Sequence, residues 1–184
     1  MISAKPNALV FVQRGGLMVA GKHVHQARLD FPPELVTNLE LVNPTKFVEF
    51  CRQFFAGNNL QHKRVLMVLD NSLVFRKKIE LDASGQPDAL TEGFVAAMPF
   101  EQGTRACLAI QSKNLLQLLA TNADLYNGIV AALEACGISK LVAIVPVAAY
   151  DLSGADRKIS ALAERFFQDT HAAKQINFAS VQPV

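Results

Sequence analysis

The pattern of apolar and polar positions predicts two successive rounds of strands and helices along this 184-residue chain. Apolar runs over residues 8–14 and 17–22 are separated by Gly15-Gly16, and we predict that this pair supplies the positive φ of a tight hairpin. Residues 27–31 then alternate apolar and charged positions until two prolines stop the strand. The chain is therefore predicted to begin with three antiparallel strands.

A capped helix and two further strands complete the first round. Asn43-Pro44 combines an N-cap side chain with proline at the first helical position, so a helix is predicted to begin there. Its apolar stripe consists of Phe47, Phe50, Cys51 and Phe54. The run Val65–Leu69 is almost entirely apolar, as in a central strand, and we predict that the chain turns after it and pairs with Leu73–Leu81.

The second round begins with a helix that carries Leu90, Phe94 and Met98. A hairpin over residues 104–120 follows, and then come a helix from Asn122 to Gly137, the strand Leu141–Val147 and a last helix over Asp156–Asp169. Turn-forming residues at 82–87 predict a joint. We therefore predict a first α/β unit over residues 1–82, a second unit over 83–174 packed on it, and an extended tail over 175–184.

The composition excludes several classes of function. With 51% hydrophobic and 18% charged residues, the chain is predicted to be folded, either with a sheet covered on both faces or with an apolar docking patch. A net charge of +2 gives no argument for nucleic acid. The start lacks an export signal, the most apolar stretch is too short to span a bilayer, and the cysteines form no disulfide framework. These features predict a cytoplasmic location.

Candidate reactive groups form no recognisable catalytic pattern. The segment Gly16–Lys22 matches the phosphate-loop pattern GxxxxGK, but it is followed by His23 where serine or threonine is required and precedes no helix, so we interpret it as coincidence. His23 and His25 share a strand face without an evident third metal ligand. The three cysteines are predicted to be buried, and the carboxylates are scattered. We therefore predict no catalytic residue, no cofactor site and no metal site, although a small enzyme with a pocket built from distant residues stays open.

Two basic groups, His62-Lys63-Arg64 and Arg76-Lys77-Lys78, border the predicted strands. We interpret both mainly as solvated edges, since lysine on an edge strand deters edge-to-edge aggregation. The same charges would also suit an acidic or phosphate-bearing partner. Arg76, Lys77 and Lys78 are therefore retained as candidate partner-docking residues.

The order of elements resembles the actin-like cytoplasmic proteins of type IV pilus and type II secretion machines, the PilM and GspL type. The resemblance lies in the strand Val65–Leu69, the strand Val74–Leu81, Met98-Pro99-Phe100 after a helix, and a helix that ends Ala135-Cys136-Gly137. It covers about residues 8–150 and implies an α/β, ribonuclease H-like (actin-like) fold with mixed sheets and flanking helices. Only the first of the family's two lobes is represented here.

The resemblance further implies a cytoplasmic scaffold at the inner face of the cell membrane. Its partner would be a membrane-anchored assembly protein or that protein's short cytoplasmic peptide, and we expect a homodimer. Membrane association would come through the partner or a segment after Val184. The family's Asp-x-Gly phosphate loop is replaced here by Gln13-Arg14-Gly15, so nucleotide binding is not expected. The alternative is a nucleotide-binding actin-like ATPase lobe.

The tail supplies the second set of docking candidates. Docking peptides in the family read Ile-Asn-Leu-Leu-Pro, and the tail contains Ile176, Asn177 and Phe178 with a later Pro183. We interpret these residues as a fused docking peptide that binds its own domain or a neighbouring copy.

Overall fold

The computed structural model describes residues 5–81, 86–147 and 176–183, and these contain two larger sheets, a short hairpin and three α-helices. The helices are α1 (Pro44–Gly57), α2 (Pro87–Ala96) and α3 (Ala123–Cys136). The strands are β1 (Ala8–Gln13), β2 (Gly16–Gly21), β3 (Ala27–Asp30), β4 (Val36–Thr37), β5 (Glu40–Leu41), β6 (Arg64–Leu69), β7 (Phe75–Glu80), β8 (Arg105–Ser112), β9 (Leu115–Asn122) and β10 (Lys140–Pro146). Short 3-10 turns span Asn71–Leu73 and Phe178–Ser180.

The larger sheet has five strands in the order β10-β6-β1-β2-β3. β1, β6 and β10 run parallel, whereas β2 and β3 continue as an antiparallel meander, as predicted. Val10 and Met67 lie on one face, and Leu9 and Leu66 lie on the other, yet all four are at most 1% exposed. The expectation of a sheet covered on both faces is therefore confirmed for its central strands.

The smaller sheet has three strands in the order β7-β9-β8, so the predicted pairing of Val65–Leu69 with Leu73–Leu81 is wrong. β6 is almost completely buried and takes β1 and β10 as neighbours, while the exposed, charged β7 pairs with β9. The units predicted as 1–82 and 83–174 consequently do not coincide with the two sheets, because β7 and β10 each join strands from across that boundary.

α1 and α3 pack against each other and cover one face of the larger sheet. Their predicted ends are confirmed: the Asn43 side chain accepts from Lys46 N at 3.0 Å, the Asn122 side chain accepts from Asp124 N at 2.9 Å, and Gly137 closes α3 in the left-handed conformation. The buried stripe of α1 differs from the predicted one, since Phe55 is fully buried whereas Phe50 and Phe54 are only partly buried.

The turn between β1 and β2 consists of Arg14 and Gly15, because Gly16 already pairs with Gln13 as part of β2. Neither Gly15 nor Gly16 has a positive φ, so that part of the hairpin prediction is wrong. Gly16 is needed for space instead. A β-carbon there would collide with the carbonyl oxygen of Leu29 on the adjacent strand β3.

The predicted last helix, Asp156–Asp169, and most of the predicted joint at 82–87 lie outside the described residues. Among the helices that the structure does describe, none has the length and apolar character needed to cross a bilayer.

The space requirement at Gly16 gives a stability prediction with an adjacent control. We expect Gly16→Ala to lower the free energy of unfolding by about 1–3 kcal/mol, because β3 must move to admit the methyl group. Gly15→Ala should change it by less than about 0.5 kcal/mol, since a β-carbon there has no neighbour within 4 Å. Urea denaturation of both variants measures the difference, and equal effects would contradict the proposed close approach.

Candidate functional site

A short segment near the end of the chain occupies the groove between α3 and β10. We call this segment, Ile176–Pro183, the docked tail. It forms a 3-10 turn over Phe178–Ser180 that contacts β10 on one side and β8 of the smaller sheet on the other. The docked tail therefore lies where the outer strands of the two sheets approach each other.

Asn177 binds the outer strand of the larger sheet through its side chain. Its Oδ1 accepts a hydrogen bond from the backbone N of Ile144 at 2.8 Å and another from the N of Ala179 at 3.0 Å. The first bond satisfies a main-chain donor on the side of β10 that faces away from β6. The second bond holds the turn in which Phe178 is presented, so one amide group both anchors and shapes the segment.

Phe178 is the apolar anchor of the docked tail. Its side chain is fully buried and belongs to the same core cluster as Ile144 and Met67. Its ring centroid lies 6.3 Å from that of Tyr126 on α3, with the two planes tilted by 40°. Burial raises the pKa of Tyr126 to about 12, so this phenol stays neutral and acts as a packing group.

Space for additional ligand contacts remains beside the docked tail. A cavity of about 250 Å³ lies between α3, β10 and the tail. Its walls are formed by Tyr126, Val130 and Glu134 of α3, Leu141 and Ile144 of β10, and Ala179 and Val181 of the tail. The lining combines apolar side chains with Asn127, Glu134 and the phenol of Tyr126, and this mixture suits a short peptide, which brings both apolar side chains and polar main-chain groups.

The structure separates the two sets of predicted docking residues. Ile176, Asn177 and Phe178 lie together against β10. Arg76, Lys77 and Lys78 are exposed on β7, and β9 lies between that strand and β8, which the docked tail contacts. The basic residues therefore do not contribute to the groove, and β7 is an edge strand among the described residues, consistent with our interpretation of its lysines.

The remaining candidate reactive residues form no site within the described ranges. No group of three or more potential metal ligands occurs there, and His23 and His25 lie in the exposed loop after β2. Burial raises the pKa of Cys51 to about 12 and raises the pKa values of Cys107 and Cys136 as well. These cysteines therefore stay protonated near neutral pH and are poor nucleophiles.

A second and larger groove, of about 520 Å³, lies between α2 and β8. Asp88, Glu92 and Val95 of α2 face Arg105 and Cys107 of β8 across it, and Gln182 of the docked tail lies at its rim. The Nε of Arg105 already donates to the backbone oxygen of Phe100 at 2.8 Å. The groove combines scattered charges with a protonated thiol, and nothing in its lining favours a particular reaction.

The sequence analysis proposed Ile176, Asn177 and Phe178 as docking residues but named none of the residues that form the walls of the groove around them. Tyr126 and Val130 are four residues apart on α3, next to the stripe of Leu125 and Ile129 that packs on the sheet. A helix with two neighbouring apolar stripes must contact a second partner besides one sheet face. This pattern in the sequence could have indicated that Tyr126 and Val130 form part of a groove. Ile144 could not be found in this way, because its contribution is a backbone N–H.

Comparison with known proteins gives structural neighbours only. The sequence matches no family model and no curated protein. The cytoplasmic domain of EpsL, an inner membrane component of the type II secretion system of Vibrio cholerae, superposes with a TM-score of 0.52 at 9% identity, covering 80% of this chain and 60% of that one. This chain has an actin-like, ribonuclease H-like fold. The predicted fold class is thereby confirmed, and the likeness to the PilM and GspL type is confirmed at the level of the fold.

Two further structures superpose less closely. The PilM-PilN type IV pilus biogenesis complex gives a TM-score of 0.48 at 15% identity, with 73% of this chain and 46% of that chain covered. A protein of actin-like ATPase fold and unknown function from Bacteroides thetaiotaomicron gives 0.38 at 12% identity, with 75% and 52% covered. This chain thus spans about half to three-fifths of the length of these neighbours.

The role of the Asn177 amide can be tested with a matched pair of substitutions. Asn177→Ala removes the acceptor for Ile144 N, so we expect the Ile144 amide to lose hydrogen-exchange protection and the protein to lose about 1–2 kcal/mol of stability. Asn177→Asp keeps an oxygen acceptor in the same place and should retain most of the protection. Unchanged exchange at Ile144 in the alanine variant would contradict the contact.

Proposed function

We propose that this protein is a non-catalytic scaffold that docks a short peptide segment of a partner in the assembly of an envelope machine of the type IV pilus or type II secretion class. The observation that carries the proposal is the docked tail. This eight-residue segment is held by the Asn177 side chain, which accepts from the main-chain N of Ile144, and by the ring of Phe178, which packs near Tyr126. A groove that accepts the chain's own peptide has the shape and chemistry to accept a similar one in trans.

The chemistry of the groove defines the kind of partner. Ile144 N requires a side-chain acceptor such as asparagine, and the pocket beside Tyr126 requires a large apolar side chain in the next position. The two contacts hold a turn of the segment against the strand edge, one through a hydrogen bond from the main chain of Ile144 and one through a buried ring. The partner segment would therefore read apolar-Asn-aromatic, or apolar-Asn followed by a large aliphatic residue.

The setting of the proposed function comes from the fold neighbour. The EpsL domain is described as cytoplasmic and as part of an inner membrane component of a secretion system. A membrane-anchored assembly protein, or its short cytoplasmic peptide, is accordingly the partner that we propose. The tail of a second copy of this chain has the same chemistry. A homodimer would form if that tail bound in the groove of the first copy.

A non-catalytic role agrees with the turn between β1 and β2. The family's acidic phosphate-loop residue has no counterpart in Gln13, Arg14 or Gly15, and the carbonyl of Gly15 accepts from Phe31 N at 2.9 Å as part of the sheet. We therefore propose docking, with no nucleotide, as the basis of function.

The proposal predicts that emptying the groove creates a binding site for the tail peptide. Phe178→Ala removes the aromatic anchor, so a synthetic peptide of residues 175–184 should bind this variant at least about tenfold more tightly than the wild-type chain, where the tethered tail competes at an effective concentration on the order of millimolar. Isothermal titration calorimetry measures both affinities.

Two controls make this experiment specific. Phe75→Ala removes a phenylalanine that is 39% exposed on β7 and should leave peptide binding at the wild-type level. A peptide with alanine in place of both Asn177 and Phe178 should not bind. Equal affinity of the native peptide for the wild-type and Phe178→Ala chains, or failure to bind either, would contradict the proposed docking function.

A further inference from the structure

Four segments distant in sequence meet at one end of the larger sheet, and each brings at least one basic residue. They are residues 5–7 before β1, 21–26 at the end of β2, 61–64 at the start of β6, and 137–140 at the start of β10. Together they hold five of the chain's 18 lysines and arginines, three of its four histidines and none of its 16 acidic residues. We call Lys5, Lys22, Lys63, Arg64 and Lys140 the basic pole.

Backbone hydrogen bonds fix these segments against each other. Asn7 N donates to Arg64 O at 2.9 Å, and Asn7 O accepts from Lys22 N at 3.0 Å, so the first three segments are joined side by side. Ser139 N donates to Lys63 O at 2.8 Å, which adds the fourth. The basic pole is therefore a consequence of sheet register and cannot be seen in any one stretch of sequence.

Two of the five cations hold the pole together, and the other three are presented outward. Arg64 Nε donates to Lys5 O at 2.6 Å, and Lys63 Nζ donates to Lys22 O at 3.2 Å. Lys5, Lys22 and Lys140 are exposed. Among the described residues, the ion pairs are Arg28 with Asp30 and Arg52 with Glu49, and both involve other parts of the surface.

The spacing of the charges makes the pole a continuous positive surface. The four strands lie in the order β2, β1, β6 and β10, so the row spans about 15 Å at the usual strand separation. Adjacent strands are separated by less than the Debye length of about 8 Å at physiological salt, so the potentials of charges carried at neighbouring strand ends add. The whole chain carries only +2, so this end is much more positive than the average surface.

The chemistry of the pole favours a fluid anionic surface. Lysine predominates, and lysine offers a point charge that needs no fixed geometry, while the one arginine has its Nε already engaged. The four segments contain no phenylalanine, tyrosine or tryptophan, the large rings on which nucleic-acid bases usually stack. Neither of the two grooves described above includes these residues.

We propose that the basic pole binds the surface of a membrane rich in anionic phospholipid, and thereby holds this end of the sheet against the bilayer. The contact is electrostatic and peripheral, with no chain segment inserted. It is independent of the docking function proposed above, because the two surfaces share no residues. The chain would then reach the membrane directly as well as through any anchored partner.

Vesicle co-sedimentation of the full 184-residue chain tests the proposal. We expect binding to vesicles of phosphatidylcholine with about one third phosphatidylglycerol, no binding to phosphatidylcholine alone, and release at about 0.5 M NaCl, where the Debye length falls to about 4 Å. The triple variant Lys5→Gln, Lys22→Gln, Lys140→Gln should bind about 100-fold more weakly, at about fivefold for each lysine removed.

A variant with the same loss of charge elsewhere gives the matched control. The triple variant Arg76→Gln, Lys77→Gln, Lys78→Gln lowers the net charge equally on β7 and should keep most of the vesicle binding. Equal weakening by both triple variants would overturn the proposal, because net charge alone would then explain the binding. Absence of wild-type binding to the anionic vesicles would overturn it as well.

Two further measurements keep the result interpretable. Thermal unfolding followed by circular dichroism checks that the triple variants remain folded. If one does not, single variants of the same region replace it: Lys22→Gln and Lys140→Gln for the basic pole, and Lys77→Gln for β7. The second measurement is a titration with labelled duplex DNA, which compares the affinity for nucleic acid with the affinity for anionic vesicles. Tighter binding to DNA than to anionic vesicles, lost in the Lys5, Lys22 and Lys140 variant, would assign the pole to nucleic acid and overturn the membrane proposal.

Discussion

The structure depends on the burial of β6. Every residue from Val65 to Leu69 is at most 1% exposed, so this strand needs a hydrogen-bonded neighbour on each side and an apolar cover on each face. β1 supplies one neighbour and β10, more than 70 residues further along the chain, supplies the other. The intervening smaller sheet and α2 are thereby placed as an insertion between β6 and the helix α3 that leads back to β10.

This arrangement leaves β10 as the outer strand of the larger sheet among the described residues, and an outer strand has main-chain groups to satisfy. The docked tail satisfies one of them at Ile144 N and covers the adjacent apolar surface with Phe178. The same two features that complete the fold also line the groove of the docked tail, which is why the function that we propose uses this edge. Within the part of the chain that the structure describes, the protonated cysteines and the carboxylates form no comparable cluster.

Local signals in the sequence predicted local structure well. Asn43, Asn122 and Gly137 each act through neighbours within four residues, so the helix ends they define were correctly located. The fold class followed from the order of elements and the family resemblance. The prediction that Ile176 to Phe178 form a docking motif came from the resemblance alone, which supplied a peptide with which to compare the tail, and it stays a prediction.

Non-local relations were not accessible from the sequence. Periodicity shows that β6 is buried but does not name its partners, and the neighbouring β7 was wrongly chosen. Gly15 and Gly16 look equivalent in sequence, and only the position of Leu29 on another strand distinguishes them. The basic pole and the walls of the groove arise in the same way, since Lys22, Arg64 and Lys140 become neighbours only through sheet register.

The central claim is that the tail is bound to its own domain through Phe178. Solution NMR of the dilute chain tests it most directly, by nuclear Overhauser contacts between the ring protons of Phe178 and Tyr126, whose centroids lie 6.3 Å apart. The account predicts strong contacts that do not change with protein concentration. Random-coil chemical shifts for Phe178 without contacts to Tyr126, or contacts that vanish on dilution, would contradict it.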